Sequence, residues 1–131
     1  MTPQLEMDGE GDVSDKGWIG VDLDGTLAHY EGWKGSTHIG APVMPMLDRV
    51  KRWLGEGAYD VRIFTARVSG PIDEAAEVRR AVGDWCERHG LPRLPVTNVK
   101  DYAMVELWDD RAVQVVPNKG EPVGQSTRGL S

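Results

Sequence analysis

Short apolar runs alternate with amphipathic helical patterns along the middle of the chain. Five runs have the length and composition of buried strands, at residues 18–21, 60–65, 94–97, 104–108 and 112–116. Apolar residues recur every three or four positions over residues 43–54 and 72–89, which predicts two helices. This order predicts an α/β fold, a three-layer α/β/α sandwich around a parallel sheet of about five strands.

Both ends of the chain differ in composition from this alternating middle. Residues 1–16 contain five acids and one lysine without a hydrophobic period, which predicts a disordered acidic tail. Residues 120–131 are rich in glycine, serine and threonine, and we expect a flexible C-terminal tail there. The single folded domain is therefore predicted at residues 17–119.

Composition excludes several classes of protein. The formal net charge of −6 disfavours a protein that binds along the phosphate backbone of nucleic acids, which requires a basic surface. The single cysteine, Cys86, excludes an internal disulfide and a cysteine-rich zinc site. No apolar run is long enough to span a membrane, and residues 1–17 are acidic, unlike a secretory signal. We therefore expect a cytoplasmic domain that does not bind membranes.

Acidic side chains follow the first and the fourth predicted strands. Asp22 and Asp24 lie two positions apart and can face one crevice, while Asp109 and Asp110 follow the later strand. In parallel sheets, ligands bind beyond the carboxyl ends of the strands, so we expect these acids to lie close together. Carboxylates at such distances repel each other unless a cation is present. A hard divalent ion such as Mg²⁺, which prefers oxygen ligands, satisfies this requirement.

Polar side chains at the other strand ends complete the candidate site. Thr65 and Arg67 follow the second strand, and Lys100 precedes the fourth. Acids, a hydroxyl and cationic groups together are the equipment of metal-assisted phosphoryl transfer. The sequence has no Gly-rich P-loop, which excludes that class of nucleotide hydrolases.

The run Asp22-x-Asp24-Gly25-Thr26, followed in order by Thr65, Lys100 and the Asp109–Asp110 pair, resembles the haloacid-dehalogenase-like (HAD) phosphohydrolase superfamily. The resemblance spans nearly the whole predicted domain. It implies a Mg²⁺-dependent phosphomonoesterase in which Asp22 is the nucleophile that forms an aspartyl-phosphate. It further implies that Asp24 is the general acid and base, with its backbone carbonyl on the Mg²⁺ ion.

The resemblance assigns roles to the remaining residues as well. Thr65 and Lys100 would hold the phosphoryl oxygens. Asp109 would be a further metal ligand with Asp110 beside it, or the two would exchange these places. Arg67 either grips a second anionic group of the substrate or pairs with an acid. Asp101 stands where many relatives have proline, so the resemblance is weakest around Lys100.

Members of this superfamily often carry a cap domain, for which this chain has no room. Residues 28–42 are long enough only for a flap, so the chain resembles the small capless members. Such an open site admits a phosphorylated small molecule or a nucleic-acid end. Two alternatives to a small-molecule phosphatase therefore remain: a polynucleotide 3′-phosphatase and a non-catalytic phosphate-binding module.

Overall fold

The computed structural model describes residues 16–124, and the predicted tail segments 1–15 and 125–131 lie outside the described residues. Within residues 16–124, seven elements follow one another: β1 (Trp18–Asp22), α1 (Met44–Glu56), β2 (Asp60–Phe64), a 3-10 turn (Ala66–Val68), α2 (Ile72–Arg88), β3 (Val96–Thr97) and β4 (Met104–Trp108). The alternation of strands and helices confirms the predicted α/β class.

All strand pairs are parallel, and β1 lies in the interior of the sheet. The strand order is β3-β2-β1-β4. Asp22 at the end of β1 pairs with Phe64 on one side, and Val21 pairs with Trp108 on the other. The carboxyl ends of β1, β2 and β4 therefore lie at one edge of the sheet, with Asp22 between its neighbours.

Both helices bury the stripe that their spacing predicts. Val50 of α1 and Val78 and Val82 of α2 are fully buried and form one hydrophobic cluster with Val21 and Ile63 of the sheet. None of the helices within residues 16–124 combines the length and the apolar composition needed to cross a membrane.

The first helix continues past its predicted end. The apolar spacing predicts an end at residue 54, just before Gly55, but α1 runs to Glu56, and Gly57 caps it in the left-handed conformation with a φ of 71°. The amide of Gly57 donates to the carbonyl of Trp53 at 3.0 Å. Gly55 and Gly57 are both suited to end a helix, and the hydrogen bond of the αL cap forms at Gly57.

A second packed region lies on the other face of β1. Trp18 is buried, but it is one position away from Ile19 of the main cluster, so its side chain lies on the opposite face of the strand. Its indole nitrogen donates to Asp101 Oδ1 at 2.7 Å, and the Arg62 guanidinium lies 4.4 Å from its ring. Asp101 belongs to the segment 98–103, which joins β3 to β4. This segment therefore crosses the sheet on the face of Trp18, where Asp101 fastens it.

The predicted fifth strand does not join the sheet, which has four strands within the described residues. Residues 112–116 turn back on the chain that follows them: the Val116 amide donates to the carbonyl of Glu121, and the Val123 amide donates to that of Gln114, both at 2.7 Å. Pro117 and Asn118, which has a φ of 65°, form the turn between them. Local pairing thus engages the Val116 amide and the Gln114 carbonyl, two backbone groups that a fifth strand could have offered to β4.

Contacts also extend slightly beyond the predicted domain boundaries. Lys16, the last residue of the predicted acidic tail, forms an ion pair with Asp60 at 3.5 Å. The pairing of Val123 extends the folded part beyond residue 119.

Candidate functional site

The turn after β1 presents acidic side chains while its apolar ones are buried. Leu23 and Leu27 are fully buried and alternate with the polar positions of the turn. The Leu27 amide donates to the Asp22 carbonyl at 3.2 Å, and the Gly25 amide donates to the Ala28 carbonyl at 2.8 Å. Burial of the two leucines therefore fixes the direction in which Asp22 points.

Gly25 is required in this turn for two reasons. Its φ of +88° lies in the left-handed region, which disfavours other residues. A Cβ atom at this position would lie 2.5 Å from Asp110 Oδ2. The absence of a side chain therefore allows the acid after β4 to approach the end of β1.

Three of the four predicted acids converge at this edge of the sheet. Each of Asp22, Asp109 and Asp110 offers a carboxylate oxygen, and these oxygens all lie within 4.8 Å of one another. Adjacent residues of a strand face opposite sides, so within a strand only one of Asp109 and Asp110 could reach the site. Because β4 ends at Trp108, both residues lie beyond the strand and both reach it.

Thr26 links the two halves of this acid cluster. Its hydroxyl accepts a hydrogen bond from the Asp110 amide at 3.1 Å. The same hydroxyl lies 3.4 Å from Asp22 Oδ2 and 3.3 Å from Asp110 Oδ1, so its proton can be donated to either carboxylate. Sequence reasoning gave Thr26 no role of its own, although it belongs to the first motif.

The negative charges of the clustered carboxylates would favour the binding of a cation. The pKa of Asp22 is raised from an ordinary value of 3.8 to about 8, and burial of the carboxyl group is the largest cause. A hydrogen bond with Asp110 and the negative charges of Asp109, Asp110 and Asp24 are the smaller contributions to the same rise. Without a counter-charge, Asp22 is therefore protonated at neutral pH, and a cation in the cluster would favour its ionised form.

The spacing of the oxygens suits a single divalent ion. Opposite ligands of an octahedral Mg²⁺ ion lie about 4.2 Å apart, twice the Mg–O distance of about 2.1 Å. A set of carboxylate oxygens within 4.8 Å can converge on such an ion. Asp22, Asp109 and Asp110 are therefore the residues that fit Mg²⁺.

Asp24 lies next to this cluster but is held by Arg67. The Arg67 Nε atom donates to Asp24 Oδ2 at 2.9 Å, and Nη2 donates to Oδ1 at 2.8 Å. This bidentate geometry is the strongest form of an arginine–carboxylate pair. The side chain of Asp24 is therefore not part of the group of acids that could hold a metal. The sequence prediction that Asp24 is a metal ligand concerns its backbone carbonyl.

Thr65 is buried and caps the 3-10 turn after β2. Its hydroxyl accepts a hydrogen bond from the Arg67 amide at 3.2 Å, and its own amide donates to the Thr97 carbonyl at 2.9 Å. Accepting this bond leaves the hydroxyl proton available to a further acceptor. The structural role of Thr65 is thus compatible with the predicted contact to a phosphoryl oxygen.

The structure does not bring Lys100 into the acid cluster. Lys100 is exposed and forms no ion pair with any acid of residues 16–124. It lines an open groove together with Asp109 and residues of β4. Its neighbour Asp101, bound to Trp18, fixes the backbone on the face of the sheet rather than at its carboxyl edge.

Residues 28–42 form the predicted flap beside Asp24. A bridge between Ala28 and Pro42 closes its base, and the Trp85 indole donates to the Gly40 carbonyl at 2.9 Å. A cleft of about 330 Å³ lies under the flap, and several polar or charged side chains line it: Asp24, His29, Tyr30, Glu31, Lys34, His38 and Arg67.

Comparison of the chain with protein-family models, with curated proteins and with solved structures found no significant match.

Proposed function

We propose that the protein is a Mg²⁺-dependent phosphomonoesterase of the HAD-like type, which acts through an aspartyl-phosphate on Asp22. The observation that carries this proposal is the convergence of Asp22, Asp109 and Asp110, with Asp24 directly beside them. Phosphoryl transfer requires a nucleophile, a cation site and a general acid within one site, and this arrangement brings candidates for all three together. The parallel order of the sheet, with β1 inside it, is compatible with the proposed family.

Each carboxylate has a distinct role in the proposed reaction. A carboxylate oxygen of Asp22 forms a bond to phosphorus, and the bond from phosphorus to the leaving oxygen breaks. In this step Asp24 would carry a proton on one carboxyl oxygen, keep its bond to Arg67 through the other, and give that proton to the leaving oxygen. In the second half, Asp24 takes a proton from water, whose oxygen attacks the aspartyl-phosphate and releases inorganic phosphate and the Asp22 carboxylate.

The metal and the remaining polar groups supply charge compensation. Mg²⁺ held by Asp22, Asp109 and Asp110 would offset the negative charge that phosphate brings to this acidic hollow. The Thr65 hydroxyl would donate its free proton to a phosphoryl oxygen. Lys100 lines the groove beside Asp109, outside the acid cluster. We propose that its long, flexible side chain extends from this groove to bind the phosphate.

The finer features of the fold are part of the same proposal. A three-layer sandwich is the family arrangement, and the segment 98–103 crosses the face of β1 on which its third layer would lie. A flap in place of a cap domain fits substrates larger than a metabolite as well as small ones.

Phosphatase assays with a matched pair of variants test the proposal. The wild-type protein should hydrolyse 4-nitrophenyl phosphate in Mg²⁺, lose activity in EDTA and be inhibited by Ca²⁺, whose looser coordination disturbs in-line geometry. Asp22→Asn should remove activity by at least about 10³-fold. Asp48→Asn changes an exposed acid of α1 and should have no effect. Full activity of Asp22→Asn would refute the nucleophile assignment.

A substrate panel distinguishes the alternatives within this proposal. A 3′-phosphorylated oligonucleotide, nucleoside monophosphates and sugar phosphates are compared by kcat/KM. Strong preference for the oligonucleotide would identify a nucleic-acid end as the substrate. Binding of Mg²⁺ and phosphate without turnover of any ester would identify a phosphate-binding module instead.

A further inference from the structure

Arg67 is almost completely engaged by other parts of the protein. Besides its two bonds to Asp24, its Nη1 atom donates to the carbonyl of Ser36 at 2.9 Å and lies 3.4 Å from that of Gly35. Arginine has five N–H groups, and these contacts use four of them. Its side chain is 6% exposed. Little of this guanidinium is left to grip an anionic group of a substrate, which sequence reasoning had considered.

The local sequence explains how Arg67 reaches both partners. Capping by Thr65 sets the 3-10 turn that aims Arg67 across the end of β1. At the base of the flap, Gly40 packs so closely on the His29 carbonyl that a side chain there would overlap it. The two arms of the flap are therefore closely packed at the base, and the tip at residues 33–36 lies over Arg67. The Trp33 ring lies 5.1 Å from the Arg67 guanidinium, although the indole itself is 61% exposed.

We propose that Arg67 is a positioning residue that joins the flap to Asp24, so that the acid/base carboxylate and the wall of the cleft above it form one unit. The inference rests on the proposed function, because it assigns the cleft under the flap to the leaving group of the ester. Arg67 and Asp24 both line this cleft, together with Tyr30 and Lys34. A leaving oxygen in the cleft would meet Asp24 in the orientation that Arg67 imposes.

This role predicts a defect that depends on the leaving group. An alkyl alkoxide leaves only if it is protonated, whereas 4-nitrophenolate leaves with little help from an acid. In Arg67→Gln, kcat/KM for an alkyl phosphate such as glycerol phosphate should fall by about 10²-fold, within the usual range of acid catalysis. The fall for 4-nitrophenyl phosphate should stay under about fivefold, since that ester needs little acid catalysis. Asp24→Asn should show the same selectivity, since it removes the acid itself.

Arg93→Gln is the matched control. Arg93 also donates to two carboxylates and one backbone carbonyl, those of Asp84, Glu87 and Arg80. It lies in the loop after α2, on the exposed side of that helix. Its substitution should leave both esters unaffected. If Arg67→Gln fails to fold, Arg67→Lys serves instead, because lysine keeps the charge but cannot form the bidentate pair. The same selective loss is expected.

A second readout does not require activity. Lys34 lies in the flap and is a trypsin site, so the rate of cleavage after Lys34 reports the freedom of the flap. Cleavage should be at least several-fold faster in Arg67→Gln than in wild type or Arg93→Gln, as expected when a segment opens more easily.

The possible outcomes separate the two proposals. A wild-type protein inactive on both esters would overturn the proposed function, while trypsin cleavage would still test the connection between Arg67 and the flap. Equal loss on both esters would show that Arg67 binds the phosphoryl group and would refute the positioning role. Unchanged kinetics together with unchanged cleavage would refute it as well.

Discussion

Asp22→Asn should stabilise the metal-free fold, although it removes the proposed nucleophile. Asparagine has nearly the shape of aspartate, but it brings no charge to the cluster. In the wild type without metal, burial, and after it the neighbouring Asp110 and Asp109, raise the pKa of Asp22 to about 8. The folded state therefore works against the ionised form of Asp22, and the substitution removes that cost.

The size of the effect follows from linkage. Between the unfolded value of 3.8 and the folded value of about 8, the folded protein holds the Asp22 proton more tightly than the unfolded chain. Wild-type stability therefore falls as the pH rises from about 4 to about 8, and the variant lacks this fall. At about 1.4 kcal/mol per unit, the upper bound is about 6 kcal/mol. Side-chain rearrangement and access of water reduce this to an expected value of about 2 kcal/mol.

Thermal unfolding in EDTA at pH 4, 6 and 8 measures this difference. About 2 kcal/mol corresponds to about 7 °C in Tm for a chain of 131 residues. The gain of Asp22→Asn should be near zero at pH 4 and largest at pH 8, while Asp48→Asn should change little at any pH. Mg²⁺ should then raise the Tm of the wild type more than that of the variant. A variant that is no more stable than wild type at pH 8, or a gain that does not depend on pH, would refute the electrostatic reasoning.

Three other substitutions test the geometry around the site. Gly25→Ala should lower the free energy of unfolding by about 1 kcal/mol more than Gly32→Ala, since both have positive φ but only the first would meet a neighbouring atom; equal losses in urea denaturation would contradict this. Asp101→Ala removes the acceptor of the Trp18 indole, whose hydrogen bond lowers the pKa of Asp101. The resulting loss of stability should be present at pH 7 and should shrink as the pH falls below about 3.8; a loss that is unchanged at pH 3 would exclude this cause. Lys100→Gln should reduce kcat/KM by about 10²-fold if the lysine binds phosphate, and an unchanged value would leave it a surface residue.

Much of the fold could be predicted because buried elements carry periodic signals. The run that became β1 and the helical stripe of α2 were found within a residue of their observed bounds. The convergence of Asp22 with Asp109 followed from one topological rule about parallel strands. By contrast, residues 112–116 have the composition of a strand, but they pair with the next few residues instead of with β4.

The contacts of Arg67 could not be predicted from the sequence. They join three segments, around Asp24, around Ser36 and at Arg67 itself, and the flap that supplies the middle one has no period. The place of Lys100 outside the acid cluster could not be predicted for a related reason. The path of the segment 98–103 depends on the bond between Asp101 and Trp18.

That short segment has a mechanical consequence. From Thr97 at the carboxyl end of β3 to Met104 at the amino end of β4, the chain must cover about 20 Å, because it passes three strand spacings and nearly a strand length. Seven residue steps reach at most about 25 Å. The link therefore has only about 5 Å of slack. A single deletion would leave six steps, which reach at most about 22 Å, so the stretch across the back of the sheet would have to straighten almost fully to keep both edge strands in register.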